Sequence, residues 1–202
     1  FNKIRSMSRT AVNAISWNLI SKIFANVGQL AIYFVLARLL TPSDFGIIAI
    51  VLVFINVSNI FAIAGLGAAI IQNEKYDKEK FDTIYFTSLI LALLVSSLLY
   101  FLAPIIAKFY NTDFDLKLLI RISLPIVVFN SINSIQTSIL QRDLNFKKMF
   151  LSTSIPLIIS GLISIVLAYY GYGIYSLIAN NLISSVVSIM FCFFFYLPLP
   201  SL

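Results

Sequence analysis

FGIIAIVLVFINVSNIFAIAGLGAAII, residues 45–71, contains no charged side chain. An α-helix rises about 1.5 Å per residue, so about 20 such residues cross the hydrocarbon core of a bilayer. Five further windows have comparable length and apolar character: 12–37, 84–109, 118–140, 151–170 and 174–197. Their apolar runs are continuous and do not alternate, which excludes a transmembrane β-barrel. The sequence therefore predicts an all-α, polytopic membrane protein with six transmembrane helices.

The composition agrees with this prediction. Apolar residues make up 60% of the chain and charged residues only 11%, whereas soluble domains are about a quarter charged. The net charge of +6 comes from Lys and Arg spread over short connecting loops, without a basic stripe that could follow a phosphate backbone. Topology signals and anionic lipid headgroups explain such a charge, so we expect membrane lipids as partners and no nucleic acid.

No reaction chemistry can be assembled from the residues present. The chain has no histidine and a single cysteine, Cys192, within an apolar run. There are no paired carboxylates inside the apolar windows, no nucleophile with a nearby base and no phosphate-binding glycine loop. We therefore predict no catalytic residue, no metal site and no cofactor, and a protein that is not an enzyme.

The charged loops also predict an orientation. If the six windows cross in turn, one side of the membrane carries nine Lys and Arg residues, in the stretches 3–9, 75–80 and 142–148. The other side carries four, at positions 38, 108, 117 and 121. Positive charge favours the cytoplasmic face, so both ends of this segment are expected in the cytoplasm. We interpret residues 1–202 as one six-helix bundle, the N-terminal part of a longer protein.

Polar side chains recur inside the apolar windows. In the first window they are spaced by three or four residues, which places them on one helical face: Asn18, Lys22, Asn26, Gln29 and Tyr33. The second window adds Asn56 and Asn59, and the fourth adds Asn130 and Asn133. Polar groups that face lipid are costly, so we expect the amides of separate helices to line a hydrated cavity.

Two interpretations of Lys22 remain open. Near the membrane surface, with Trp17 as an interfacial anchor, its ammonium group would extend to the headgroup layer. Inside the cavity it would have no acidic partner, because Asp44, Asp82 and Asp115 fall at predicted helix ends. An uncompensated buried cation favours an anionic ligand such as phosphate, and Arg38 at the far end of the same helix would extend the attraction.

YFVLARLLTPSDFGIIAIVLVFINVSNIFAIAGLGAAIIQ, residues 33–72, resembles the N-terminal signature of bacterial polysaccharide flippases. The resemblance continues in ILQRDLNFKKMF, 139–150, and GYGIYSLIANNLISSVVS, 171–188. It implies one half of an exporter fold of twelve or more helices, in which two six-helix bundles open alternately to either face of the bacterial cytoplasmic membrane. It further implies transport of undecaprenyl-diphosphate-linked oligosaccharides for O-antigen, capsule or exopolysaccharide, together with other polysaccharide-assembly proteins.

The candidate substrate-binding residues are Asn18, Lys22, Asn26, Gln29, Arg38, Asn59, Asn130 and Asn133. Two other functions remain possible at this stage. An ion-coupled multidrug exporter of the same superfamily would favour an acidic cavity, and a membrane enzyme of polysaccharide assembly would favour a large loop with catalytic residues.

Overall fold

Six helices account for the secondary structure that can be described. The structure, a computed structural model, describes residues 2–63, 78–110, 115–142 and 146–195, and the side chains of 19–63, 82–110, 115–142 and 147–194. The helices are α1 (Asn2–Leu39), α2 (Pro42–Ile63), α3 (Lys78–Tyr110), α4 (Leu116–Arg142), α5 (Phe146–Tyr169) and α6 (Ile174–Phe195). Each contains a stretch long and apolar enough to cross a membrane, which confirms the prediction of six spans. The last part of the second window, 64–71, lies outside the described residues.

A capping box separates α1 from α2. The Thr41 hydroxyl accepts a hydrogen bond from the backbone N–H of Asp44 at 3.3 Å. In return, the Asp44 carboxylate accepts from the Thr41 N–H at 3.0 Å and from its hydroxyl at 2.8 Å. Pro42 has no N–H to donate and suits the first helical position. The TPSD sequence therefore ends one helix and starts the next within a few residues.

The turn between α5 and α6 is built on two glycines. The N–H of Gly171 bonds the carbonyl of Ala168 at 3.0 Å, and the N–H of Tyr172 bonds that of Leu167 at 3.2 Å, which is a Schellman motif. Gly171 and Gly173 have φ values of 83° and 53°, which side chains disfavour. A Cβ on Gly173 would lie 3.8 Å from Oδ1 of Asp44, so this turn sits beside the α1–α2 turn at one end of the bundle.

Helix α4 is the centre of the bundle, because it packs against α2, α3, α5 and α6. Its contact with α3 is close enough for the hydroxyls of Ser88 and Ser131 to lie 2.5 Å apart. Small polar side chains allow such close approach between membrane helices. The main apolar core joins α4 to α2 and α6 through buried side chains such as Val51, Ile120 and Leu177.

Helix α1 lies at the edge and packs chiefly on α5. Gly28 on α1 faces Leu157, and Gly161 on α5 faces Ile32 so closely that a Cβ there would overlap the isoleucine side chain. Near the N-terminal end of α5, Phe24 and Phe150 meet edge to face with ring centroids 5.3 Å apart. The two glycines therefore set how closely α1 approaches α5.

Gly161→Val should loosen α1 from α5 and lower the apparent melting temperature of the full-length protein in detergent. Overpacking of this kind costs about 1–3 kcal/mol. Thermal unfolding followed by fluorescence measures the effect. Gly46→Val is the matched control, because nothing lies within 4 Å of a Cβ built on that helical glycine. Adding Ile32→Ala should restore much of the loss, and equal destabilisation by both glycine variants would contradict this account of the contact.

Candidate functional site

Helix α1 presents three distinct faces. At about 100° per residue, the face that packs on α5 carries Ser21, Phe24, Gly28 and Ile32. A second face is apolar and exposed, with Ile23, Val27, Leu30 and Phe34. The third face is polar, with Lys22, Asn26, Gln29 and Tyr33. We call this third set the polar face of α1. The side chain of Asn18, which the sequence places on the same face, lies outside the described side chains.

The polar face of α1 is directed toward α2. Tyr33 contacts Phe45 of α2, with ring centroids 6.4 Å apart and the ring planes at 87°. Lys22 precedes Tyr33 by eleven residues, and Asn56 follows Phe45 by the same number. Eleven residues are about three helical turns, so both residues remain on the facing sides of their helices. Because the two helices are antiparallel, Lys22 and Asn56 lie at about the same depth.

On the side of the Tyr33–Phe45 contact away from the turn, α1 and α2 pack against different helices. Helix α1 continues along α5, whereas α2 packs on α3, α4 and α6. Lys22, Asn26 and Asn56 are exposed on this bundle, and Gln29 and Asn59 are half-buried. The Oδ1 of Asn59 is covered but accepts no hydrogen bond from the described residues. We use the name α1–α2 cleft for the surface formed by these residues of α1 and α2, which offers several hydrogen-bonding amides and one ammonium group.

The charge of the cleft is positive. Lys22 lies inside the apolar stretch Leu19–Leu39, which is long enough to cross a membrane. The aspartates whose side chains are described lie near helix ends: Asp44, Asp82 and Asp115. Asp44 belongs to the α2 cap, and Asp115 accepts a hydrogen bond from the Leu118 N–H at the start of α4. Among the described side chains, the cleft therefore favours an anion over a cation.

Asn130 and Asn133 of α4 form hydrogen bonds with serines of a neighbouring helix. Ser185 of α6 donates a hydrogen bond to Oδ1 of Asn130 at 3.0 Å, and Ser188 donates to Oδ1 of Asn133 at 2.9 Å. The Ser188 hydroxyl also lies 3.2 Å from the Ser152 carbonyl of α5. These bonds form a polar seam that joins α4 to α6. Each of these carbonyl oxygens thus has a hydrogen-bond partner on α6.

Arg38 lies away from the cleft. It is sixteen residues beyond Lys22, or about 24 Å along the helix. Its guanidinium lies 5.2 Å from the ring centroid of Phe34, on the apolar exposed face of α1. A cation–π contact at an exposed site contributes about 0.5–1 kcal/mol. Lys22, Asn26 and Gln29 therefore share one face of α1, and Asn56 and Asn59 lie on α2.

Asn56 is a polar residue of the second window but is not one of the candidate substrate-binding residues that the sequence indicates. The signal that singles it out is spacing, because Asn56 is eleven residues from Phe45, as Lys22 is from Tyr33. That spacing has meaning only once Tyr33 and Phe45 are known to touch. No group of three or more metal-ligating side chains occurs among the described residues.

A cysteine placed on the polar face should react with a water-soluble maleimide, because the reactive thiolate forms only in contact with water. In full-length protein carrying Cys192→Ser, we expect rapid labelling at Asn26→Cys and slow labelling at Leu30→Cys. Leu30 is a matched control since it is 68% exposed but lies on the apolar face. The native Cys192 is fully buried, so its replacement removes only background. Equal labelling at both positions would show that the polar face is not selectively hydrated.

Comparison of the amino-acid sequence with known proteins shows the family of this chain. The chain is 26% identical over 184 residues to the succinoglycan biosynthesis transport protein of Rhizobium meliloti (strain 1021), covering 89% of this chain and 36% of the relative. It is 24% identical over 144 residues to the teichuronic acid biosynthesis protein of Bacillus subtilis (strain 168), covering 71% of this chain and 30% of that relative. The chain thus spans about a third of the length of these curated relatives.

No solved structure is a significant match to the chain. The family model for polysaccharide biosynthesis proteins matches residues 35–202, which includes every helix except most of α1. The two relatives are named for the synthesis or transport of bacterial polysaccharides, and the six apolar helices described here suit a multi-pass membrane protein of that kind. The chain belongs to the polysaccharide biosynthesis protein family.

Proposed function

We propose that this chain is the N-terminal bundle of a flippase that moves undecaprenyl-diphosphate-linked oligosaccharides across the bacterial cytoplasmic membrane. The observation that carries the proposal is the α1–α2 cleft, where Lys22 and amides of two helices are exposed within membrane-spanning segments. A transport role agrees with the name of the Rhizobium meliloti relative. The lipid-linked substrate and the direction of transport are our inference.

The cleft suits the part of such a substrate that cannot cross hydrocarbon. A sugar–diphosphate head loses the hydration of its charges and hydroxyls when it enters lipid, which creates a high barrier. The ammonium group of Lys22 offsets the loss for the diphosphate. Asn26, Gln29 and Asn56 can each donate and accept hydrogen bonds to sugar hydroxyls. The polyprenyl chain needs no such site, because it is soluble in the surrounding lipid.

One wall of the transport path is formed by this bundle. The polar face of α1 is exposed here, and polar side chains exposed at membrane depth require a wet or protein-covered opposite wall. The curated relatives are about three times as long as this chain. We propose that the longer protein supplies that wall as a second bundle. Movement of one bundle against the other would then change which membrane face the cleft opens to.

The charge of the cleft favours this function over an ion-coupled exporter of cationic drugs. Such an exporter benefits from a carboxylate in its cavity, and the described cleft residues include an ammonium group and amides instead. A membrane enzyme would require catalytic side chains. The described cleft residues show none of the usual nucleophile and base pairs.

Lys22→Ala in the full-length protein should reduce surface polysaccharide and cause lipid-linked repeat units to accumulate, because the diphosphate loses its counter-charge. Lys22→Arg should have a milder effect since it keeps the charge. Extraction of lipid-linked sugars and immunodetection of the surface polymer, at matched expression, measure both quantities.

Lys117→Ala is the control for that experiment, because it removes an exposed lysine near the start of α4, outside the cleft. If the Lys22→Ala strain had normal polymer and no accumulated precursor, Lys22 would be a residue that reaches the headgroup layer, and the cleft would not act through its charge.

A further inference from the structure

A second concave surface lies on the outer side of the α1–α5 pair. It is a groove of about 200 Å³ with an almost wholly apolar lining, which includes Phe24, Gly28, Ile32, Leu157, Gly161 and Leu162. At the helix contact beneath the groove, Leu157 packs on Gly28 and Ile32 packs on Gly161. Leu162 and Ile158 on its rim are 61% and 50% exposed.

The groove and the α1–α2 cleft are on different sides of α1. The groove adjoins the apolar exposed face, which carries Val27 and Leu30. The polar face with Lys22 and Asn26 turns toward α2. About 100° of helix circumference separates the centres of these two faces at 100° per residue. A molecule in the groove is therefore in contact with membrane lipid and does not share the surface that we propose for the transported headgroup.

Lys147 lies near the N-terminal end of the groove. The groove residue Phe24 contacts Phe150 at this end, and Lys147 is exposed one helical turn before Phe150. Lys147 precedes the groove residue Ile165 by eighteen residues, about five whole turns, so the two side chains leave α5 in the same direction. Lys147 also lies in the first turn of α5, where the free N–H groups of the helix favour an anion.

We propose that the groove is a binding site for an anionic phospholipid, with one acyl chain in the groove and the phosphate paired with Lys147. The groove is smaller than the 300–1,000 Å³ usual for compact ligands, so it suits a segment of a single hydrocarbon chain. The distance from Phe24 to Ile32 is about 12 Å along α1, a length that a chain segment can follow. A phospholipid carries its phosphate next to the start of its chains, which matches a cation next to the end of an apolar groove.

The specificity of this site comes from shape and charge. An acyl chain gains no hydrophobic free energy when it leaves bulk lipid for the groove, because both surroundings are apolar. The remaining favourable contributions are close packing against the apolar lining of the groove and attraction between phosphate and ammonium. A lysine near an anionic surface contributes about 1 kcal/mol, which corresponds to about a fivefold preference for an anionic over a zwitterionic headgroup. This inference does not depend on the proposed transport function.

Native mass spectrometry of the full-length protein tests the site directly. The detergent-purified protein is incubated with phosphatidylglycerol or with phosphatidylcholine of the same acyl chains, and the bound lipid is counted. We expect about fivefold greater retention of phosphatidylglycerol. Lys147→Gln should lower phosphatidylglycerol retention to the phosphatidylcholine level. Leu162→Trp, which places a larger side chain at the rim, should lower the retention of both lipids.

Two variants are matched controls. Lys117→Gln removes an exposed lysine near the start of α4, and Val166→Trp enlarges a residue of α5 that is 52% exposed but outside the groove lining. Both should leave retention unchanged. Unchanged retention in Lys147→Gln, or an equal loss in Lys117→Gln, would overturn the site. Displacement of phosphatidylglycerol by glycerol phosphate would show a phosphate site without chain recognition, and displacement by an equal amount of polyisoprenyl phosphate would identify an isoprenoid as the occupant. Either result would overturn the proposal.

Discussion

The hydrocarbon core of a membrane offers no hydrogen bonds, and the arrangement of this protein follows from that constraint. A polar side chain in a spanning helix must bond to another helix or face water. Both solutions are present. On α4, Asn130 and Asn133 accept hydrogen bonds from serines of α6, and the polar groups hold two helices together. On α1 and α2, Lys22, Asn26 and Asn56 remain exposed on the bundle.

Asparagines in this bundle therefore have two different environments, with different consequences for stability and for ligand binding. An asparagine whose carbonyl oxygen is taken by a neighbouring helix stabilises the bundle, but it has less to offer a ligand. An asparagine exposed at membrane depth is costly to the bundle alone, since its amide needs water or a ligand. A path for a polar molecule through the membrane requires such exposed polar groups, because they replace the hydration that the molecule loses. For this reason our proposal rests on the exposed polar residues of α1 and α2.

Helix α1 gives the bundle two different surfaces because it is attached along only one of its faces. Gly28 and Gly161 bring it close to α5, and the rest of its circumference stays available. One exposed face is polar and turns toward α2, and the other is apolar and meets lipid beside a groove that ends at Lys147. A single helix therefore lies between an exposed polar surface and an exposed apolar one.

The amino-acid sequence by itself determined the six helices, because span length and charge content depend only on local composition and the thickness of the membrane. It also determined the turns, since the Thr41–Asp44 cap and the Gly171 turn are formed by residues close together in the chain. Helical spacing placed Lys22, Asn26 and Gln29 on one face. It could not decide which polar faces meet each other, and so it grouped Asn130, Asn133 and Arg38 with Lys22. Only the tertiary structure decided which helices the polar side chains bond to, as in the bonds from α6 to Asn130 and Asn133, because helix neighbours are distant in sequence: α5 for α1, and α6 for α4.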